Sequence, residues 1–399
     1  MENQIFSPCS LAGIKLQNRI IRSATHEGLA DENGKPNEKL KKRYTAVAKG
    51  EVGAIITGYA GIQQNGKSPF YNMLMINKDE HINAYNDLTD DVHRYNTPII
   101  MQIAHCGRQT RSAITGEHPV APSAIKDKLY NEETPKELDE NAIYEIIENF
   151  VRGIDRAKTS GFDGVQLHGA HGYLLSQFLS PYMNRRNDRW GGSLENRFRI
   201  IEEIYKEAKS TVGDYPIFIK INGYDGRKNG MRIPEAVEIS KLLQKSGCAG
   251  IEVSCGIVED GMHSVRVEKI PTEAILEYNF RFRNMPPIIK KISKPVFGMM
   301  YRSIKPLSKY NVEAAKAIKK AVDIPVIAVG GFSSLDDIQE VIDRNDADFV
   351  SMCRPFLIEP NIVKKFRNGA QKRSKCISCG YCVIAQEVLP TRCYYGKLR

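Results

Sequence analysis

Eight short apolar segments, each followed by a stretch with helical hydrophobic periodicity, restrict the fold of this chain more than any other feature. The apolar segments cover residues 19–24, 52–57, 98–104, 164–167, 217–221, 250–253, 326–329 and 349–352. The helical patterns cover 38–49, 80–95, 139–160, 194–211, 234–246, 312–321, 335–343 and 361–367. Strands that alternate with helices form a parallel α/β sheet, and eight such units close into a TIM (β/α)8 barrel. A doubly wound sheet is the alternative, but no G-x-G-x-x-G turn follows the first strand.

Two segments fall outside this eightfold pattern. Residues 255–310, after the sixth strand, are too long for an ordinary connection, because structureless loops beyond ~15 residues are uncommon unless they are functional. We therefore expect this insertion to carry a helix near 272–282 and to lie across the barrel mouth as a lid. The other segment is a short cysteine-rich tail. The predicted organisation is a barrel over residues 1–370 and a tail over 371–399.

The composition indicates a globular protein and narrows the class of partner. Hydrophobic residues make up 42% and charged residues 26%, which is enough apolar material for a sizeable core. The formal charge is +10, but the basic residues form no concentrated stripe, which argues against nucleic acid and favours anionic small molecules. Because neither a signal-peptide pattern nor ~18 uninterrupted apolar residues occur, we expect a cytoplasmic protein that is not bound to a membrane.

Three titratable ring side chains lie at and just after the end of the fourth apolar segment. That segment ends at His168, and His171 and Tyr173 follow within a few residues. In a parallel barrel the C-terminal ends of the strands carry the catalytic side chains. The three residues are therefore candidates for catalysis, and the alternative is that they hydrogen-bond a loop and are structural.

Glycines and an arginine follow the last two apolar segments. Gly330 and Gly331 come after the seventh segment, and Cys353 and Arg354 after the eighth. Paired glycines let a backbone approach a phosphate, a helix N-terminus supplies N–H donors, and an arginine adds charge. Barrels commonly bind phosphate at this place, so the pattern favours a phosphate site over glycines that only form a tight turn.

Two polar residues stand in otherwise apolar segments. Gln102 lies in the third segment and Lys220 in the fifth. An amide can pair with the edge of a heteroaromatic ring, and a lysine can stabilise negative charge on a reduced ring. Each signal is weak by itself, since a lysine near a strand end is more often a surface charge.

The tail gathers four of the nine cysteines in the last 24 residues. Cys376, Cys379 and Cys382 form a C-x2-C-x2-C pattern, and Cys393 follows after ten residues. Three thiolates so spaced can bind a 4Fe-4S cluster while a more distant fourth completes the ligands. Zinc is the strongest alternative, because four thiolates also satisfy tetrahedral zinc, and thiols that bind no metal are the third possibility.

Seven motifs in order over about residues 5–370 resemble the old yellow enzyme family of FMN-dependent oxidoreductases. They are NRIIRSAT (18–25), MQIAHCGR (101–108), APSAI (121–125), HGAHGYLLSQFLSP (168–181), RWGGSLENR (189–197), IAVGGF (327–332) and DFVSMCRP (348–355). Within the family the sequence is most similar to the N-terminal flavin barrel of 2,4-dienoyl-CoA reductase and trimethylamine dehydrogenase, whose cluster-binding members place a similar cysteine group just after strand eight.

The resemblance implies a role for each candidate residue. Gln102 and Lys220 would contact the flavin pyrimidine, with the backbone of Ala24 and Thr25 and the side chain of His26 near the ring. Gly330, Gly331, Cys353 and Arg354 would hold the FMN phosphate. His168 and His171 would hydrogen-bond the carbonyl oxygen of an activated alkene, and Tyr173 would protonate its α carbon, a division of labour that suits hydride transfer to an enone.

Three positions depart from the family pattern. Lys220 stands where many relatives carry arginine, so the charge is kept while the bidentate fork is lost. Cys353 stands where glycine is common, which narrows the phosphate loop. His26 replaces a threonine or cysteine that often tunes the flavin potential. No cysteine stands at residues 25–27, so we do not expect a covalent cysteinyl flavin.

The resemblance therefore implies an ene-reductase that passes a hydride from NAD(P)H through FMN to an α,β-unsaturated carbonyl or enoyl compound. The alternatives are a flavin dehydrogenase or demethylase and an electron-transfer protein that uses the tail cluster. The larger relatives continue into a second nucleotide-binding domain, whereas this sequence ends at Arg399. We thus expect either direct reduction of FMN by NAD(P)H or an external electron-transfer partner, and the family suggests a homo-oligomer.

Overall fold

The structure is a computed structural model that describes the backbone of residues 4–128, 133–260, 263–300 and 303–397, and their side chains apart from 260 and 296–300. The strands are β1 (Cys9–Leu11), β2 (Ile14–Leu16), β3 (Ile20–Arg22), β4 (Ala54–Ile56), β5 (Ala60–Gly61), β6 (Leu74–Met75), β7 (Ile99–Ala104), β8 (Val120–Ala121), β9 (Lys136–Glu137), β10 (Gly164–Gly169), β11 (Ile217–Asn222), β12 (Ile251–Ser254), β13 (Val326–Val329) and β14 (Phe349–Met352).

Eight of the helices begin and end close to where the apolar periodicity predicts. They are α1 (Glu38–Lys49), α2 (Ile82–His93), α3 (Ser112–Thr115), α4 (Glu140–Thr159), α5 (Leu174–Leu179), α6 (Leu194–Val212), α7 (Ile233–Lys245), α8 (Thr272–Tyr278), α9 (Pro287–Met300), α10 (Val312–Lys319), α11 (Leu335–Asp343), α12 (Arg354–Ile358), α13 (Ile362–Arg367) and α14 (Tyr381–Ala385). The eight predicted helices are α1, α2, α4, α6, α7, α10, α11 and α13. The Asn37, Asp139 and Ser193 side chains cap α1, α4 and α6 by accepting backbone N–H groups of the first turn.

A closed parallel barrel forms the centre of the molecule. The barrel strands are β3, β4, β7, β10, β11, β12, β13 and β14, and each pairs with the next in that order. The closing pair joins β14 to β3, with Ser351 opposite Ile21. The prediction of a (β/α)8 barrel is confirmed, and the doubly wound alternative is wrong because an open sheet would leave these two strands unpaired.

Side chains inside the barrel lie in layers because alternate residues of a strand point to the same face. The lowest layer is apolar and includes Ile21, Phe218 and Phe349, which the β1–β2 hairpin covers with Leu11 and Leu16. Two residues further along the strands the interior becomes polar, with Gln102 opposite Gln166 and Lys220 opposite Glu252 in the strand register. This change from apolar to polar marks the level at which a ligand can enter from the C-terminal side.

The insertion and the tail both lie over the C-terminal end of the barrel. The insertion contains α8, where the sequence predicts a helix near 272–282, and α9, which the sequence analysis did not anticipate. Helix α14 of the tail packs against α8. Within the described ranges, no helix is both long and apolar enough to cross a membrane.

Candidate functional site

A cavity of about 290 Å³ opens at the C-terminal ends of the barrel strands. It is lined by every residue that the sequence analysis assigned to catalysis or flavin binding, namely Ala24, Thr25, His26, Gln102, His168, His171, Tyr173, Lys220, Gly330, Gly331, Cys353 and Arg354. Apolar side chains of the insertion, among them Ile270 and Phe282, form another wall. The fold therefore brings residues that are far apart in the sequence into one enclosed space.

The candidate catalytic residues form a compact group at the end of β10. The rings of His168 and His171 meet edge to face with centroids 5.1 Å apart, and the ring of Tyr173 lies 4.7 Å from that of His168. Nε2 of His171 is 2.7 Å from Oγ of Ser254, which holds the imidazole in place. His171 has a φ of 61°, a left-handed conformation that is uncommon outside glycine, so the turn itself directs this side chain.

Both imidazoles are neutral under ordinary conditions. Burial lowers the pKa of His171 to about 3, with a further contribution from the charge of Lys220. Burial also lowers the pKa of His168 well below its ordinary value, and the nearby His171 and Lys220 add to the effect. The backbone N–H of Ala170 donates to Nδ1 of His168 at 3.4 Å, so the neutral ring carries its proton on Nε2. The pair can donate hydrogen bonds without carrying charge.

Tyr59 is a cavity residue that the sequence analysis did not identify. Its phenol oxygen accepts a hydrogen bond from Tyr173 at 3.2 Å and lies 3.1 Å from Oγ of buried Ser68. Its ring stacks on His26 with centroids 5.3 Å apart. Tyr59 follows a strand end, as the catalytic candidates do, and that position is the only signal the sequence offers for it.

The side chains of Lys220 and Gln102 belong to a buried polar network centred on Glu252. Nζ of Lys220 lies 3.1 Å from Oε2 of Glu252. Nε2 of Gln102 donates to Oε1 of Gln166 at 2.6 Å, and Gln166 in turn donates to Glu252 at 2.8 Å. Lys220 is therefore an interior charge with a paired carboxylate and not a surface lysine.

Packing against the insertion explains why a glycine is needed after β13, apart from any phosphate binding. A Cβ on Gly331, whose φ is 77°, would lie 1.9 Å from the backbone oxygen of Leu307. The end of the insertion thus passes directly over this turn. Nη1 of Arg354 donates to the backbone oxygen of Arg266 at 2.8 Å, so the predicted phosphate residues also hold the insertion against the barrel.

The strand-end residues near the expected ring position contact one another and the loops above them. Sγ of Cys353 is 3.8 Å from the backbone oxygen of Ala24, and the Thr25 hydroxyl donates to the backbone oxygen of Ser23 at 3.2 Å. Nε2 of His26 lies 2.9 Å from the backbone oxygen of Tyr71, and burial lowers the pKa of His26 to about 4. His26 is therefore neutral and donates to the Tyr71 carbonyl.

The tail cysteines lie near one another beside the same cavity. Cys376 and Cys382 line it. The pKa of Cys382 is raised to about 12, mainly by burial. The charge of Arg354 acts in the opposite direction, and the thiols of Cys376, Cys379 and Cys393 contribute a smaller increase. In the described part of the chain, however, no three His, Cys, Asp or Glu side chains are grouped closely enough to hold a metal ion. The four thiols lie near one another but are not arranged as the ligands of one metal ion. The iron-sulfur or zinc site therefore stays a prediction.

The fold and the site define a class of (β/α)8-barrel protein with a ligand cavity at the C-terminal ends of its strands, where Lys220 and Arg354 lie among mainly apolar side chains. The sequence model of the NADH:flavin oxidoreductase / NADH oxidase family matches residues 4–270 and 292–373. The chain therefore belongs to this family, whose members use FMN and NAD(P)H, and the predicted relationship to old yellow enzyme is confirmed.

Two relatives illustrate the range of proteins to which the chain is similar. It is 35% identical to an NADH oxidase of Thermoanaerobacter brockii, a match that covers 96% of this chain and 54% of the relative. It is 32% identical to an NADPH dehydrogenase of Geobacillus sp., with 90% of this chain and 92% of that one covered. The chain thus spans about half the length of the first relative and nearly all of the second.

A solved structure confirms the architecture. The old yellow enzyme homologue from Zymomonas mobilis superimposes with a TM-score of 0.73 over 97% of this chain and 99% of its own, at 22% sequence identity. At this identity the likeness establishes the shared barrel fold.

Proposed function

We propose that the chain is an FMN-dependent ene-reductase that uses NAD(P)H to reduce an α,β-unsaturated carbonyl or enoyl compound. The observation that carries the proposal is the single cavity in which two neutral histidines and a tyrosine face the polar layer of Lys220 and Gln102. When bound, FMN supplies two-electron chemistry between the nicotinamide and the alkene. The protein's own residues would bind the FMN, orient the alkene substrate and protonate its α carbon.

The cavity residues fit FMN in charge and kind. Lys220 and Gln102 offer a cation and an amide in the polar barrel layer, which suits the pyrimidine of a flavin. Arg354 and the backbone of Gly330 and Gly331 would hold the phosphate, because an arginine and exposed N–H groups are the usual partners of that anion. Ala24, Thr25, His26 and Cys353 complete the flavin side of the cavity.

The catalytic group suits the charge that develops on the substrate. As the β carbon is reduced, negative charge grows on the carbonyl oxygen, and N–H donors of His168 and His171 would stabilise it. Their lowered pKa values keep both rings neutral, so they act as donors and do not compete with Tyr173 as acids. Tyr173 would then give its phenol proton to the α carbon, as general acids do in such reductions.

Separate measurement of the two half-reactions tests this function. FMN-loaded protein is reduced anaerobically with NADH or NADPH, then mixed in a stopped-flow instrument with cyclohexenone or an enoyl thioester. We expect reduction by the nicotinamide and reoxidation by the alkene with one product per flavin. Reduction by dimethylamine or a related amine, with no reoxidation by alkenes, would instead support a dehydrogenase or demethylase.

A second candidate is electron transfer through the tail to an external partner. It is favoured by the position of Cys376 and Cys382, which line the same cavity as the flavin residues. The four thiols suit a 4Fe-4S cluster in number and spacing, with zinc as the alternative. The tail would have to close around the metal, because its thiols are not grouped as ligands in the described structure.

Metal analysis separates these possibilities. Iron, sulfide and zinc are quantified in anaerobically purified protein and in a variant in which Cys379 and Cys382 are both serine. About four irons per chain, absent from the variant, support a cluster. Zinc alone supports a structural tail, and unchanged metal content in the variant contradicts ligation by these cysteines.

A further inference from the structure

Glu252 is a charged residue at the centre of the barrel that the proposed reaction leaves without a role. Its side chain is completely buried, and it lies on strand β12 between the apolar residues Ile251 and Val253. Burying a carboxylate in a barrel interior is costly unless the charge is paired and hydrogen-bonded. A position that carries this cost calls for a specific partner.

Both carboxylate oxygens of Glu252 are fully engaged. Oε1 accepts from the hydroxyls of Ser23 and Ser351, each at 2.6 Å. Oε2 accepts from the Gln166 amide at 2.8 Å and lies 3.1 Å from Nζ of Lys220. The Ser23 hydroxyl, in turn, accepts from Lys220 at 2.9 Å. The carboxylate on β12 therefore connects side chains of β10, β11 and β14, and of the residue that follows β3, at one level of the barrel interior.

The charge state of Glu252 agrees with this arrangement. Burial alone would raise the pKa of the carboxyl, but the charge of Lys220 and the hydrogen bonds from Ser23, Ser351 and Gln166 outweigh it and lower the pKa below its ordinary value. The interior thus holds an ionised Glu252 carboxylate paired with Lys220 beside the cavity.

We propose that Glu252 is a positioning residue that offsets the charge of Lys220 and so makes the reduction potential of bound FMN more negative than the lysine alone would set it. The inference rests on the proposed placement of the flavin against Lys220 and Gln102. A cation beside the flavin would favour the reduced, negatively charged ring, and a carboxylate 3.1 Å from that cation weakens its field.

The same residue orients the second flavin contact. Gln166 donates to Glu252 through its amide nitrogen, which leaves its amide oxygen to accept from Nε2 of Gln102 at 2.6 Å. The Gln102 amide is thereby held with its nitrogen toward Gln166. Glu252 governs both polar residues that the sequence assigns to the flavin pyrimidine, although it would touch neither flavin nor substrate.

The midpoint potential of FMN in the holoprotein tests the proposal. Glu252→Gln keeps the shape and removes the charge, so the equilibrium between oxidised and reduced FMN should move at least tenfold toward the reduced form, about 30 mV for a two-electron couple. Lys220→Met should move it in the opposite direction, and the double variant should lie between the two. Glu359→Gln, which removes another buried carboxylate 2.9 Å from Lys365, is the matched control and should leave the potential unchanged.

Two other outcomes of this experiment would contradict the role of Glu252. An unchanged or more negative potential in Glu252→Gln would overturn the proposal. If Glu252→Gln folds poorly because Lys220 is left buried and unpaired, the double variant should recover FMN binding. A double variant that binds FMN no better would also overturn it.

The proposed function can fail separately from this inference. A shifted potential in Glu252→Gln together with no alkene reduction by the native protein would support the role of Glu252 and overturn the ene-reductase assignment. Native protein that binds FMN and reduces alkenes, with no shift in the variant, would overturn the role of Glu252 alone. Failure of the native protein to bind FMN would overturn both.

Discussion

The phenol hydroxyl of Tyr173 donates a hydrogen bond to the phenol oxygen of Tyr59 across a distance of 3.2 Å. The contact joins the turn after β10 to the connection after β4, and it holds the Tyr173 ring edge to face against His168. Burial is the main cause that raises the pKa of Tyr59, so this second phenol stays protonated. Tyr173 is thus fixed in position by a neutral partner.

Replacing Tyr173 with phenylalanine should slow alkene reduction by about 100-fold, because a positioned general acid contributes a factor of this order. Reduction of FMN by NAD(P)H needs no proton from Tyr173 and should keep its rate. Stopped-flow measurement of both half-reactions checks this. Tyr59→Phe is the control, since it removes the partner and leaves the acid, and its effect should stay below about tenfold. Equal losses in both half-reactions of Tyr173→Phe would show that Tyr173 is not the proton donor.

Acidification should destabilise the protein through its buried neutral histidines. The pKa of His26 falls from 6.5 in the unfolded chain to about 4 on folding, so below pH 6.5 the unfolded chain binds the proton first. The free energy of unfolding should therefore decrease as pH falls from about 6.5 to 4, with about 2–3 kcal/mol due to His26. Urea titrations at a series of pH values and one FMN concentration measure this.

The variant His26→Gln tests that assignment, because glutamine can donate to the Tyr71 carbonyl but does not titrate. Its unfolding free energy should depend less on pH over the same interval. His93→Gln is the control with the opposite sign: the hydrogen bond to Asp163 raises the pKa of His93, so His93 stabilises the fold at acid pH. A native-like acid dependence in His26→Gln would contradict the prediction.

The barrel could be predicted because its signal repeats. Each of the eight buried strands is visible in the sequence as an apolar run. The end of each run predicts where a strand ends, and His168, Lys220 and Arg354 lie at or near such ends. The ends of all eight strands lie on the same face of the barrel, so the sequence alone predicts that the candidate residues converge there.

The remaining parts of the site lack a repeating signal. Glu252 is the one acidic residue of strand β12, and its partners Ser23, Gln166 and Ser351 come from distant segments. No local pattern connects them, because strand register and closure decide the contact. The tail is similar: the C-x2-C-x2-C spacing predicts a ligand set, but where the tail packs depends on contacts with α8 that no motif encodes.

Gly331→Ala should weaken the junction between the barrel and the insertion. The new Cβ would meet the Leu307 oxygen at 1.9 Å, and a φ of 77° is itself unfavourable for alanine. We expect a loss of about 2–4 kcal/mol in unfolding free energy, together with weaker FMN binding. Gly369→Ala is the matched control, since its φ is 71° and its Cβ would meet nothing within 4 Å. Equal losses in the two variants would show that backbone strain alone is responsible.

Glu259 should anchor the start of the insertion through a buried cluster of charges. Its side chain is fully buried and lies 3.0 Å from Nη2 of Arg108 and 3.1 Å from Nη2 of Arg227. The Tyr182 hydroxyl donates to it at 2.7 Å. Because removing one member of a buried ion pair leaves the other charge uncompensated, Glu259→Gln should lower the unfolding free energy by about 3–5 kcal/mol.

Three further variants, Tyr182→Phe, Arg108→Met and the double variant with Glu259→Gln, separate the charge of Glu259 from its hydrogen bonds. Tyr182→Phe removes one donor and no charge, so its cost should be about 1–2 kcal/mol. Combining Arg108→Met with Glu259→Gln should cost less than the sum of the single changes, because the double variant no longer buries the unpaired Arg108 guanidinium. Denaturant unfolding of the native protein, the two single variants Arg108→Met and Glu259→Gln, and their double variant measures the interaction between the two residues. Strict additivity would mean that Arg108 and Glu259 do not stabilise each other.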